Sequence, residues 1–368
     1  MKAEVAIVGN GVAGYACAAR LARHGIRPLL IGSGLPVDRP PLTKKALATG
    51  IPTLLSDEQR LAERGIERLD GVVAGSDLAR GRIRLEDGRR IEADTVVLAT
   101  GLRYPRPRID GIEAALVNAD PSALPRIAAV LAEPRRRVVV IGAGLIGTES
   151  AATLAAAGHD VTVVDVLERP LDRLHDPLPA LGAAALAATG ARFLGGVSLT
   201  ELAAGEGRHV TLCHSGGALT ADLVLAATGG RPFAPPGLEV SGDELPLAVD
   251  AALRVPGFER VHAVGDLVVV PHARFGPIRF PHWDMAIGTG EHAADAIAGV
   301  AAELDRLPYW WTDIGPRTFA EVGWAEAAVE WADDDGLHVG RNAGGEPVAA
   351  LVVDEPRRLR EARALLGY

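Results

Sequence analysis

The chain has 368 residues, enough for roughly two to three domains with buried cores, and its formal net charge of −9 argues against non-specific nucleic-acid binding by the whole molecule. Only two cysteines occur, Cys17 and Cys213, each in an apolar segment far from the other; with no CxxC or CxxxxC pair, a disulfide-reductase mechanism is excluded and redox chemistry must come from a bound cofactor. The ten histidines show no metal spacing, since His272, His282 and His292 recur every ten residues, so no metal site is expected.

The opening MKAEVAIVGNGVAG runs into a strand after a single lysine, with no basic n-region, separate apolar stretch or small-residue cleavage site; a cytoplasmic location is expected. No run of about 18 apolar residues is free of charge or Gly/Pro interruption, which argues against a membrane span. An apolar β-branched run at 5–8 leads through glycines into a helix ending near His24, then a strand at 29–31. A strand ending in Ala99-Thr100-Gly101 follows. The pattern then repeats: a run at 138–141, glycines, a helix to about Ala157 and a strand at 161–164. Two more strand endings close at LVLAATGGRP (223–232) and RVHAVGD (260–266), and an Ala-rich helix is expected from Ala286 to about Leu304. Pro308 marks a boundary, after which short strands at 319–322, 327–331 and 348–353 and a terminal helix from Pro356 are expected.

The recurring strand, glycine turn and helix is the rhythm of a parallel sheet. Its two copies lie about 130 residues apart, which reads as one copy inserted in the other's domain. In the first, Gly9-Asn-Gly11-Val12-Ala13-Gly14 directly follows a strand and opens a helix. The first glycine permits the tight turn, the second lets backbone approach a pyrophosphate, and the third allows close helix packing. The helix N-terminus then holds phosphates through free N–H groups and its dipole. The second copy is Gly142-Ala-Gly144-Leu145-Ile146-Gly147, with Asp165 about 20 residues on, where a carboxylate accepts both ribose hydroxyls of NAD and repels a 2′-phosphate. NADH is therefore favoured over NADPH, and Arg169, four residues away, is the side chain able to shift that balance. The first copy carries Ile31-Gly32-Ser33-Gly34 at the equivalent place; Ser33 offers one hydrogen bond to an adenosine ribose, without a carboxylate's bidentate grip.

Five motifs stand in order: Arg39-Pro-Pro-Leu-Thr-Lys44, the ATG at 99–101, the second glycine motif running into Gly147-Thr-Glu149, Gly229 to Pro232, and Val264-Gly265-Asp266. Together they resemble the FAD-dependent ferredoxin reductases, the group that includes putidaredoxin reductase and the reductases of aromatic-ring dioxygenases, over about residues 4–366. The stretches Pro308-Tyr-Trp-Trp-Thr-Asp-Ile-Gly-Pro316 and His282-Trp-Asp-Met-Ala286 also resemble the apoptosis-inducing-factor branch. The resemblance implies an α/β fold with two Rossmann-like nucleotide-binding domains plus a small C-terminal α+β domain: FAD on 1–115 and 240–305, NAD on 116–239, and a C-terminal domain at 306–368. It implies that Asp266 hydrogen-bonds the FAD ribityl chain, that Lys44 lies beside the flavin N5 with Glu149 paired to it, and that Trp283 is an aromatic near the flavin. It places FAD against Gly9, Gly11, Val12, Ala13, Gly14, Ser33, Arg39, Ala99, Thr100, Gly101 and Gly265, and NAD against Gly142, Gly144, Leu145, Ile146, Gly147, Asp165 and Gly229. Pro281 departs from the pattern, where many relatives carry Glu, and the C-terminal domain is shorter than in many.

The positive residues cluster: Arg80, Arg82, Arg84, Arg89 and Arg90, then Arg103, Arg106 and Arg108, then Arg135 to Arg137. An NADH-dependent ferredoxin reductase is expected, passing electrons to a small ferredoxin or rubredoxin-type acceptor that serves an oxygenase such as a P450 or dioxygenase. Solvated surface is the ordinary reading of these arginines, and a docking patch for that acidic partner is the alternative. The competing readings are a redox sensor resembling apoptosis-inducing factor and a peroxide-forming NADH oxidase or small-molecule flavoenzyme.

Overall fold

The two β-branched runs become central strands of two sheets, the second all parallel and the first parallel around its run but edged by the antiparallel strands Arg82–Leu85 and Val73–Asp77. The computed structural model describes residues 1–204, 209–234, 236, 245–300, 303–334 and 336–368. The chain divides into two compact units, Met1–Asp38, Leu54–Arg103 and Arg231–Tyr309 in one, and Arg39–Thr53, Tyr104–Gly230 and Trp310–Tyr368 in the other. Each unit is thus assembled from three separate stretches of chain. The expected boundary at 239/240 lies outside the described residues.

In the first unit, strand Lys2–Val8 pairs in parallel with Pro28–Gly32 on one side and Arg90–Leu98 on the other, and Val261–Ala263 adds in parallel to Arg90–Leu98. Val5, Ala6, Ile7, Val96, Val97 and Leu98 are all buried. Such near-continuous apolar strands occur where both faces of a sheet are covered. Helix Val12–Arg23 covers one face and buries Ala13, Gly14, Ala16, Cys17, Ala18 and Leu21, mostly small residues that allow close approach. Helix Trp283–Ile297 packs on it at Gly290, where a Cβ would overlap the Ala13 carbonyl oxygen. This helix stops well before the expected Leu304. Its end is closed by backbone bonds from Gly299 N–H to Ala296 O and from Val300 N–H to Asp295 O, a glycine-terminated cap that the Ala-rich composition had masked.

In the second unit, five parallel strands run in the order Leu116–Val117, Leu223–Ala226, Arg137–Ile141, Asp160–Val164, Arg192–Leu194. Helix Leu145–Ala156 follows Arg137–Ile141 through the second glycine turn. A three-stranded antiparallel sheet, Leu199–Ala204, Val210–His214 and Gly217–Ala221, shares a core with it through Leu202, Leu212, Val139 and Val224. The C-terminal residues form a five-stranded sheet in the order Tyr309–Ile314, Arg317–Gly323, Pro347–Val353, Leu337–Arg341, Glu330–Asp334. Two of these strands, Tyr309–Ile314 and Leu337–Arg341, were not anticipated, and the strand expected at 327–331 is displaced: Ala325–Ala327 is a 3-10 turn and pairing starts at Glu330. Polar and glycine residues within these strands hide the period-two pattern. The terminal helix begins at Leu359, after a 3-10 turn at Pro356–Arg358.

Candidate functional site

Both glycine turns have the same geometry. Gly9 and Gly142 take φ of +112° and +103°, a backbone conformation that excludes side chains, and a Cβ there would overlap backbone of Ala99 and Ala227 respectively. A Cβ on Gly14 or Gly147 would overlap the carbonyl oxygen of Gly9 or Gly142, so each third glycine lets its helix seat directly on its turn. Gly11 and Gly144 are different: nothing lies within 4 Å of where a Cβ would be. Each is the N-cap of its helix without a side-chain cap, so no cap side chain takes up the first-turn N–H groups near Val12, Ala13, Leu145 and Ile146. A pyrophosphate fits each of these cradles on charge and on room.

The remaining residues of the first unit gather around its cradle. Ala99 N–H donates to Val8 O, Thr100 Oγ1 donates to the Phe233 carbonyl, and Gly101 O accepts from Phe233 N–H at 3.0 Å. Gly265 sits against Ala13 in the turn Gly265–Leu267, which brings half-buried Asp266 to the same end of the sheet. The Gly265 N–H donates to Thr289 Oγ1 at 2.9 Å, tying the turn to helix Trp283–Ile297. Trp283 opens that helix, and its Nε1 donates to Asp38 Oδ1 at 2.9 Å; burial, partly offset by that bond, pushes the Asp38 carboxyl above its usual range. Ser33 is exposed, in a loop held by Asn10, whose Nδ2 donates to the Ser33 and Gly34 carbonyls at 3.2 and 2.8 Å. Asn10 and Asp38 carried no assignment from sequence: the middle position of a glycine motif and a residue ahead of Arg39 show no pattern of their own.

In the second unit Asp165 closes the turn as well as facing it. Its Oδ2 accepts from Ala143 N–H at 2.6 Å and its Oδ1 from Leu167 N–H at 3.0 Å, leaving each oxygen one further lone pair for a ribose hydroxyl. Arg169 donates through Nε to Asp172 Oδ1 at 2.8 Å, so its charge is already matched. Gly229, with φ +89°, lies two residues beyond Ala227 on the same rim. Arg39 lies over the ring of Tyr104, 5.9 Å from its centroid.

Lys44 and Glu149 meet. The turn Pro40–Thr43 delivers Lys44, and the first helical turn after the second glycine motif delivers Glu149, which is only 7% exposed. Lys44 Nζ donates to Glu149 Oε1 at 2.5 Å and lies 2.8 Å from Asp313 Oδ2. Glu149 also accepts from Thr43 Oγ1, from Thr312 Oγ1 at 3.1 Å and from Asp313 N–H at 2.8 Å. A buried carboxylate is tolerated when donors replace its water, and here four do. Burial opposes the Lys44 ammonium, but the Glu149 charge and the hydrogen bonds to Asp313 and Glu149 outweigh it and hold the amine above its ordinary pKa. Thr43, Thr312 and Asp313 were not anticipated, although Thr312 and Asp313 fall inside the quoted Pro308 to Pro316 stretch. Trp283 and Asp266 belong to the first unit, Lys44 and Glu149 to the second.

Cys17 is fully buried, which pushes its thiol up to about 12, and Cys213 is unpaired.

Two like-built strand–glycine turn–helix units, one of them followed by the carboxylate of Asp165, and a buried lysine–glutamate pair define a dinucleotide-dependent oxidoreductase of the two-Rossmann class. The chain belongs to the pyridine nucleotide-disulphide oxidoreductase family, whose model matches residues 3–290. It is 30% identical over 404 residues to a chlorobenzene dioxygenase ferredoxin reductase component from Cupriavidus sp. (strain PS12), covering 100% of this chain and 94% of the relative. It is equally 30% identical over 400 residues to the ferredoxin–NAD(+) reductase subunit of a benzene 1,2-dioxygenase system from Pseudomonas putida, with the same coverage. The putidaredoxin reductase–putidaredoxin covalent complex shares the fold, with a TM-score of 0.88 at 24% identity over 98% of this chain and 92% of that one. Among the described residues no helix is long and apolar enough to cross a membrane.

Proposed function

We propose that this chain is an NADH-dependent ferredoxin reductase that holds FAD in its first unit and supplies single electrons to a small ferredoxin or rubredoxin-type acceptor serving an oxygenase, in the cytoplasm where NADH is the available reductant. The observation that carries the reading is the pair of matching glycine turns, open at Gly11 and Gly144 and closed at Gly9, Gly14, Gly142 and Gly147. FAD, when bound, supplies the conversion between the two electrons of a hydride and the single electrons an iron–sulfur centre accepts.

The chain's own residues have distinct tasks in this proposal. Gly9 to Gly14 receive the FAD pyrophosphate, with Ala99, Thr100, Gly101 and Gly265 shaping the rest of the cradle. Asp266 accepts from ribityl hydroxyls, Ser33 from the adenosine ribose, and Arg39 and Trp283 complete the binding set. Gly142 to Gly147 receive the NADH pyrophosphate, Asp165 takes the ribose hydroxyls, and Gly229 borders the same site. With Arg169 engaged by Asp172, a 2′-phosphate would meet the Asp165 carboxylate. Lys44, kept charged by its carboxylates, stabilises negative charge developing in the reduced state, and Glu149 fixes its position. The functional division proposed is 1–115 with 240–305 for FAD, 116–239 for NAD and 306–368 as a C-terminal domain.

The test is the anaerobic absorbance spectrum of the purified protein before and after one equivalent of NADH, with NADPH in parallel. Rapid bleaching of a bound flavin by NADH, and rapid reoxidation by an added ferredoxin, is expected. A colourless protein that FAD cannot reconstitute would overturn the reading, and so would a bleached flavin that every ferredoxin leaves reduced.

A further inference from the structure

Lys44 has two carboxylates, and the second comes from the C-terminal sheet. We propose that Asp313 is a positioning residue for Lys44, fixing its ammonium beside Glu149, so that strand Tyr309–Ile314 is a working part of the lysine–glutamate site. The inference rests on the role given to Lys44 above.

Asp313 is held at both ends. Its Oδ1 accepts from Thr318 Oγ1 at 2.7 Å on the neighbouring strand, which aims Oδ2 at Lys44 Nζ, 2.8 Å away. Its own backbone N–H, and the hydroxyl of Thr312 before it, donate to Glu149 Oε1. A two-residue stretch of one strand therefore grips both members of the lysine–glutamate pair. Two carboxylates around one ammonium give the group a formal charge of −1, a surplus that favours the protonated amine strongly. The same contact lowers the Asp313 carboxyl: burial raises it, but the hydrogen bonds from Lys44 and Thr318 prevail. Among the described residues, the other charged groups on the flanking strand are committed elsewhere, Arg317 to Asp354 and Glu321 to His175 and Trp310, and the turn before Lys44 contributes only neutral Thr43.

Composition points the same way. Of 38 basic residues, only Lys2, Lys44 and Lys45 are lysine. Arginine stays charged whatever its surroundings, whereas a lysine's charge depends on its neighbours, so a lysine placed between two carboxylates is a group whose protonation is set by design of the site.

Three lysines also make the test clean. The FAD-reconstituted full-length protein and its Asp313→Asn variant are labelled with acetic anhydride between about pH 7 and about pH 11, with each lysine read by peptide mass spectrometry. Lys45, the next residue, is the internal reference. Acetylation of Lys44 should begin roughly one pH unit lower in the variant, with Lys45 unchanged. Thr318→Val, which removes only the donor to Asp313, should give a smaller shift of the same sign and serves if Asp313→Asn folds poorly. An unchanged Lys44 onset in both variants overturns the proposal. The rate of flavin reduction by NADH against pH adds a second readout. Its alkaline limb should fall to lower pH in Asp313→Asn, return in Asp313→Glu and vanish in Lys44→Met. A limb lost in Lys44→Met but left in place by Asp313→Asn overturns the role of Asp313 alone; a limb that survives Lys44→Met overturns the role of Lys44 and the inference with it.

Discussion

Gly144 and Gly147 sit three residues apart in one motif and do opposite things. A methyl at Gly144 enters open space, while one at Gly147 meets the Gly142 carbonyl. Gly144→Ala should therefore melt within a degree or two of the parent but bind NADH many-fold more weakly in titration. Gly147→Ala should lose stability by about 1–3 kcal/mol, the usual range for overpacking, seen as a Tm lower by several degrees. Equal melting of the two variants would contradict this division of labour. At this scale Lys44, Glu149 and both glycine motifs were legible because each is a local pattern with a chemical reason for its spacing. Thr43 was legible only as part of a motif, and Asp313 not at all as a partner, because its contacts to Lys44 and Glu149 close loops of more than 160 residues. Nothing in a strand's residue pattern records such a distant neighbour.

The loop after Asp160–Val164 and the C-terminal sheet meet through a histidine. His175 Nε2 lies 2.5 Å from Glu321 Oε2, its Nδ1 lies 2.8 Å from Asp176 O, and its ring stacks on Trp331 with centroids 3.9 Å apart. Glu321 is buried and takes a second bond from Trp310 Nε1 at 2.9 Å. Burial disfavours the imidazolium, but the hydrogen bond and charge of Glu321 prevail and raise the His175 pKa. A histidine raised in the folded state contributes stability that is fully present below its unfolded value of about 6.5 and is lost as pH rises through the folded value. The parent should thus lose more Tm than His175→Gln between about pH 6 and about pH 9; parallel curves for the two proteins would show that the pair does not titrate in this range. Of the elements, the buried parallel strands were readable as continuous apolar runs ended by glycine. The C-terminal strands were not, because Glu330–Asp334 is an acidic sheet edge and Leu337–Arg341 carries His338 and Gly340 among its apolar residues.

For the molecule as a whole, a net charge of −9 coexists with local clusters of arginine. Arg103, Arg106 and Arg108 are exposed, and two are anchored: Arg103 lies 3.6 Å from the Phe233 ring centroid and Arg106 Nε donates to Ala115 O at 3.2 Å. Held cations steer an acidic carrier through a field that salt screens. Reversing all three to Glu should raise the KM for ferredoxin severalfold and weaken its dependence on ionic strength, with flavin reduction by NADH unaltered. Unchanged ferredoxin kinetics in a folded triple variant would remove these arginines from consideration. The sequence by itself determined the two glycine turns, the helices they open and the carboxylate after the second, because each depends on residues close in the chain; the pairing of Lys44 with Glu149, 105 residues apart, was implied only by the resemblance. Only the tertiary structure decided that Asp313 shares Lys44, that Asp38 holds Trp283 and that each unit is built from three stretches of chain. Hydrogen bonds and ion pairs act over about 3 Å of space, and where strands separated by more than a hundred residues come together is set by the packing of the whole sheet, not by any local pattern.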